Sequence, residues 1–244
     1  MQLKSFLCRT LVVVAVLALL QSCNVTGQNR IKGSGNVIKE ERNIPSFTRI
    51  KVEGSMNLYL SQGPAKAALI EAEDNVAPLV EFVEEDGKLK VRFKRNTSIN
   101  THKGVNIYLT TPEVSEVALA GSGDVKLMDK FNSREDMAIK LSGSGNLKGS
   151  VNAPAVKASI AGSGDMFLDG ETKNVSVSIA GSGDFEGEGL LSEDAKVTIA
   201  GSGSASVHAS VKLEAKIAGS GDIKYKGTPQ VSSSVAGSGS VRKI

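Results

Sequence analysis

Side chains with chemical potential recur at one position of a repeat. Asp124, Asn146, Asp165, Asp184 and Asp222 each follow a Gly-Ser-Gly tripeptide, and Ser204 and Ser240 hold the same place in two further copies. Stacked repeats would bring Asp165 and Asp184 to about the strand spacing, near the ~5 Å between the two carboxylates of a retaining glycosidase. A ladder of oxygens could also gather a hard cation. Two observations weigh against both. Asn and Ser replace Asp freely, and a residue present in nearly every repeat is expected to be a turn residue that binds free backbone amides. Calcium-binding β-rolls repeat every nine residues, whereas here the period is about twice that. His102 and His208 are the only histidines, are far apart, and have no neighbouring cysteine or nucleophilic-serine motif, so neither a zinc site nor a triad is supported. No glycine-rich stretch ends in Gly-Lys-Ser/Thr, which excludes a P-loop. No catalytic residue, metal ligand or cofactor is assigned.

The positions of these residues depend on the repeat. Gly-Ser-Gly begins at Gly121, Gly143, Gly162, Gly181, Gly201, Gly219 and Gly237, with successive starts 22, 19, 19, 20, 18 and 18 residues apart. The closing glycines are Gly123, Gly145, Gly164, Gly183, Gly203, Gly221 and Gly239. A further copy stands alone at Gly33, and Gly54-Ser55-Met56-Asn57 is a decayed one. Segments such as Val177-Ser178-Ile179-Ala180 precede the tripeptide and alternate apolar with polar, the pattern of a half-buried strand. In the seven copies from Gly121 onward the residue just before the first glycine is always Ala or Ser. A second alternating strand follows, as in Asp222-Ile223-Lys224-Tyr225. The glycines allow positive φ and close approach of stacked corners.

Two architectures fit: an antiparallel meander or barrel with the tripeptide closing hairpins, and a right-handed parallel β-helix with one repeat per coil of about 18–22 residues. Near-constant repeat length and recurrence of residue types at one phase favour the β-helix. Residues 116–244 form its regular part. Residues 31–115 alternate in the same way but at irregular spacing, broken by Pro64, Pro78 and Pro112, and are expected to be the capping end continuous with it.

The N-terminus predicts export. Lys4 and Arg9 precede the apolar run Leu11–Leu20, which is short for a membrane span. Leu20-Gln21-Ser22-Cys23 resembles a bacterial lipobox, making residues 1–22 a lipoprotein signal peptide and Cys23 the lipidation site. An ordinary secretory signal is the alternative. The chain has only one other cysteine, Cys8, inside the leader, so stability must come from packing rather than disulfides. Several acyl chains on Cys23, at about 0.8 kcal/mol per buried methylene, would anchor the protein to a membrane. Residues 23–30 read as a polar tether.

Of 29 Lys and Arg, two lie in the leader; the rest face 26 Asp and Glu, leaving residues 23–244 at about +1. Near-neutrality argues against a nucleic-acid partner. The one basic cluster, Lys88 to Arg95, alternates basic with apolar and reads as a strand with a solvated face, with an anionic-lipid or polysaccharide contact as the second reading.

The chain resembles the bacterial family described as putative auto-transporter adhesin, head GIN domain, whose members are secreted or lipid-anchored. The resemblance rests on Phe47-Thr48-Arg49-Ile50-Lys51-Val52-Glu53-Gly54-Ser55-Met56-Asn57-Leu58-Tyr59-Leu60, on Ala72-Glu73-Asp74-Asn75, and on the run of corners from Gly121. It implies a right-handed parallel β-helix at the cell envelope, common in Bacteroidota, and carries no catalytic residues. The last repeat ends at Ile244, so no translocator barrel is expected after it.

The expected function is that of an exported, lipid-anchored adhesin, or a non-catalytic binding or structural module, at the outer membrane. It would display outward residues such as Ser176, Ser178, Thr198 and Lys216 to a glycan or protein. The alternatives are a periplasm-facing scaffold or stress lipoprotein and, behind it, a polysaccharide-active β-helix enzyme. The segment Asn24–Gln28 lacks an acidic cluster of the kind associated with surface export, so the membrane face stays open.

Overall fold

The computed structural model describes residues 29–244. The expected signal peptide, Cys23 and tether residues 24–28 lie outside the described residues. Asn29–Lys32 is already a strand, paired in parallel with Thr97–Asn100.

Alternation dictates the fold. In the strand Lys212–Gly219, Leu213, Ala215 and Ile217 face inward, while Lys216 and Ala218 face out. A strand with one apolar face must bury it, and each turn does so by lying on the one before. Equivalent residues pair in parallel through the long strands Asn146–Gly162, Met166–Gly181 and Phe185–Gly201, with one register shift between Phe167 and Asp169. The result is a parallel β-solenoid of about six turns. One interior column runs Val91, Val52, Leu119, Leu141, Ile160, Ile179, Ile199, Ile217 and Val235, each paired with the next. A second, after the corner, runs Ile107, Leu58, Val125, Leu147, Met166, Phe185, Ala205 and Ile223. All but Val235 are buried, at about 1.5–3 kcal/mol for each large side chain.

The N-terminal region joins the same stack in a different order. Lys88–Phe93 pairs with the outer side of Arg49–Gly54, whose inner side carries Glu116–Gly121. Val80–Glu85 then runs antiparallel to Lys88–Phe93, and Val37–Arg42 antiparallel to Ala68–Glu73. These outermost strands are rich in charge, including Glu40, Glu41, Arg42, Glu81, Glu84 and Glu85, a known protection of sheet edges. At the other end Val231 and Val235 of Gln230–Gly237 are 38% and 41% exposed, with no described strand over them.

Candidate functional site

The corners form one column. Gly54, Gly121, Gly143, Gly162, Gly181, Gly201, Gly219 and Gly237 pair in sequence along the stack. At Gly181 φ is +128°, a conformation L side chains rarely adopt, and Ser182 and Gly183 both donate their N–H to Gly162 O, at 2.9 and 3.1 Å. The closing glycines are packed carbonyl against backbone: a Cβ at Gly203 would collide with Gly183 O, and one at Gly221 with Gly203 O. Gly123, Gly145, Gly164, Gly183 and Gly239 stand in the same relation to the preceding turn.

Four of the seven polar residues that follow the Gly-Ser-Gly corners accept a backbone N–H of the next turn. Asp124 Oδ1 accepts the N–H of Asn146 at 3.0 Å, Asp165 Oδ1 that of Asp184 at 3.0 Å, Asp184 Oδ1 that of Ser204 at 2.7 Å, and Asp222 Oδ1 that of Ser240 at 2.9 Å. The ladder continues into the cap, where Asp124 N–H donates to Asn57 Oδ1 and Asn57 Nδ2 to Asn106 Oδ1. The hydroxyl and N–H of Ser240 hold the Asp222 carboxyl below its ordinary range. Among the described residues, no three His, Cys, Asp or Glu side chains are grouped to hold a metal.

The solitary copy at Gly33 lies outside this column. Ser34 Oγ and Asn36 Nδ2 donate to Asp74, Gly35 N–H donates to Glu73 Oε1 at 2.8 Å, and Ser34 N–H donates to Asn75 Oδ1. A Cβ at Gly33 would strike the buried Glu73 carboxylate, which also accepts from Thr101 Oγ1. The motif here ties the first strands to the loop Glu73–Asn75.

Outside the corners the turns present flat, outward stripes. Ser178, Thr198 and Lys216 pair in register, as do Ser176, Lys196 and Glu214 beside them. Glu214 accepts ion pairs from Lys216 at 2.9 Å and Lys196 at 3.6 Å. In the basic cluster, Lys88 pairs with Glu116 at 2.6 Å, Arg92 with Glu81 at 3.3 Å, and Lys90 with Glu85. Three of the five cations between Lys88 and Arg95 are thus paired with carboxylates.

Another stripe, two residues past the corner position, was not singled out from the sequence. It runs Tyr108, Tyr59, Lys126, Lys148 and Phe167, each paired with the next. Tyr108 and Tyr59 stack with centroids 4.9 Å apart and planes 15° from parallel. A groove of about 320 Å³ lies between Tyr59 and Phe167 over Lys126 and Lys148, bordered by Asp124 and Asn146. Aligning the corners would have found it, because each of Tyr59, Lys126, Lys148 and Phe167 stands two positions after the corner's Asp or Asn. Hollows of about 410 and 430 Å³ open beside cap loops near Pro45 and Pro112, but neither presents an exposed aromatic ring.

A sequence model of the family described as putative auto-transporter adhesin, head GIN domain, matches residues 46–229. The chain is similar to a solved putative adhesin from Bacteroides fragilis, with a TM-score of 0.83 at 24% identity over 88% of this chain and 100% of that one. It is also similar to a putative lipid binding protein from Parabacteroides distasonis, at TM-score 0.73, 28% identity and the same coverages. A putative adhesin from Parabacteroides merdae gives 0.67 and 25% over 88% and 99% of the two chains. No curated protein matches.

Proposed function

Because the chain belongs to the family described as putative auto-transporter adhesin, head GIN domain, we propose that it is an exported, non-catalytic binding module of the adhesin type. It would be held at the outer membrane through lipid on Cys23 and would display its outward stripes to a glycan or protein. The observation that carries the reading is the corner ladder. Each of Asp124, Asp165, Asp184 and Asp222 accepts the backbone N–H of the next turn. The repeated carboxylates therefore hold turns together, and the regular outward stripes are left as the working surface. One similar structure is described as a lipid binding protein. In this chain the apolar columns fill the solenoid interior, which favours recognition on the outer faces over a lipid held inside.

Protease shaving of intact cells, with a periplasmic control protein and a lysed sample, tests the display. Loss of the solenoid while the control survives supports an outward-facing adhesin. Full protection, with cleavage after lysis, overturns it in favour of a periplasm-facing scaffold. A Cys23→Ala variant that still fractionates with membranes would refute the anchor.

A further inference from the structure

Resting on the reading of the chain as a binding module, we propose that the groove between Tyr59 and Phe167 is a site for an acidic saccharide, a sugar bearing carboxylates. Register fixes its dimensions. Tyr59, Lys126, Lys148 and Phe167 occupy four successive rungs, so the two rings stand about 14 Å apart at the usual strand spacing. Tyr59 is stacked on Tyr108, and Tyr59 and Phe167 both border the groove. Aromatic faces backed by a few directed polar groups are the usual means of holding a ring with an apolar face and a polar rim.

Charge selects the acid. Lys126 and Lys148 are exposed on adjacent rungs, and like charges side by side in a sheet are destabilising. Among the described residues neither makes an ion pair, whereas Lys140, Lys157, Lys196 and Lys216 on other outward positions each do. The protein itself shows how two such lysines are satisfied. Glu116 sits between Lys88 and Lys140, at 2.6 and 3.2 Å, with a carboxylate oxygen on each. A ligand carboxylate between Lys126 and Lys148 would repeat that arrangement with charge-assisted hydrogen bonds. Asp124 also borders the groove, but its Oδ1 already accepts both the N–H and Nδ2 of Asn146, each at 3.0 Å. Asn146 thereby keeps Oδ1 to accept from a sugar hydroxyl.

The test is calorimetric titration of the purified chain with a tetramer of galacturonic acid, a neutral galactose tetramer, a phosphorylated single-stranded oligonucleotide of equal charge, and vesicles containing phosphatidylglycerol. The expected result is binding of the acidic tetramer that weakens as salt rises, with the neutral tetramer at least about tenfold weaker, as losing a charge-assisted contact implies. The double variant Lys126→Ala/Lys148→Ala should lose binding by about tenfold or more, as should Phe167→Ala. Lys224→Ala/Arg242→Ala, with the same charge change further along the stripe, should bind as the parent does. Equal binding of the neutral tetramer, preference for the oligonucleotide, binding of vesicles alone, no binding at all, or indifference to the Lys126/Lys148 double variant would each overturn the proposal. Lys126, Lys148 and Arg242 are exposed and Lys224 is half-buried on the outward face, so circular dichroism of both double variants should match the parent. Protection in the shaving experiment would change the membrane face and leave this measurement unaffected.

Discussion

Substituting Gly183 by alanine isolates one of the two demands that the corners make. Its φ lies outside the left-handed region, so the backbone accepts a side chain, but a Cβ there would lie 2.2 Å from Gly164 O and 3.0 Å from Ile160 Cγ2. An ordinary carbon–oxygen contact needs about 1 Å more. Moving the corner that far stretches the bonds from Ser182 and Gly183 N–H to Gly162 O, now 2.9 and 3.1 Å, beyond useful length. Two lost bonds at about 0.5–1.5 kcal/mol each, with overpacking against Ile160 of about 1–3 kcal/mol, give a destabilisation of about 2–6 kcal/mol. For a chain of this size that lowers Tm by roughly 4–24 °C, readable by far-UV circular dichroism during heating and by the urea midpoint. Gly54→Ala is the complementary variant. Its φ is +99° but the nearest heavy atom to a Cβ is Phe93 Cδ2 at 3.6 Å, an ordinary contact, so it carries backbone strain alone, about 1–3 kcal/mol. Gly181→Ala combines both demands and should be the most damaging of the three. A Gly183→Ala protein that melts with the parent would refute the argument that carbonyl contact between turns fixes the second glycine.

Two further outcomes follow from the polar contacts. Asp184→Ala frees the Ser204 N–H, now bonded at 2.7 Å, and should cost about 1 kcal/mol, while Asp184→Asn, which keeps an acceptor, should recover most of it; equal urea midpoints for the two variants would contradict a hydrogen-bonding role. At Glu116, burial pushes the carboxyl pKa up, but the bonds from Lys88 and Lys140 outweigh it and the net shift is downward. A carboxyl depressed in the folded state adds stability above its unfolded pKa of about 4.3, and that stability is lost as pH falls through the folded value. The parent should therefore exceed Glu116→Gln in stability at pH 7, with the gap closing in acid; a constant gap in urea unfolding from pH 7 to pH 3 would rule out this linkage.

The regular half of the solenoid was legible because its period carries geometric information. When Val177, Val197 and Ala215 recur at one phase, parallel stacking is the arrangement that places all of them inside. The cap was less legible. Its strands alternate like the others, but sequence order does not disclose that Lys88–Phe93 lies outside Arg49–Gly54, nor that Val37–Arg42 and Val80–Glu85 run antiparallel. Tyr59 and Phe167 share one phase of the repeat, two positions after the corner's polar residue, but Tyr108 follows no Gly-Ser-Gly and joins their stripe only once register is known. The count of aromatics in the sequence underrates what a ladder can gather.

The two irregular copies of the motif show what the regular ones need. Gly33 shares the tripeptide but faces the Glu73 carboxylate instead of another corner, so identity of motif does not establish identity of role. Gly54-Ser55-Met56 keeps the first glycine and loses the second. The difference follows from direction. A Cβ at each closing glycine points back at the preceding turn, Gly145 at Gly123 O and Gly123 at Met56 O. Met56 belongs to the first corner of the column; beneath it lies Val105 of the cap, whose carbonyl accepts the Asn57 N–H at 2.8 Å, instead of another glycine corner, and the Met56 side chain is fully buried. Gly54 still has to adopt φ of +99° and stays glycine. The apparent decay of the repeat therefore marks the start of the corner column: one glycine makes the corner, and the other admits the corner beneath it.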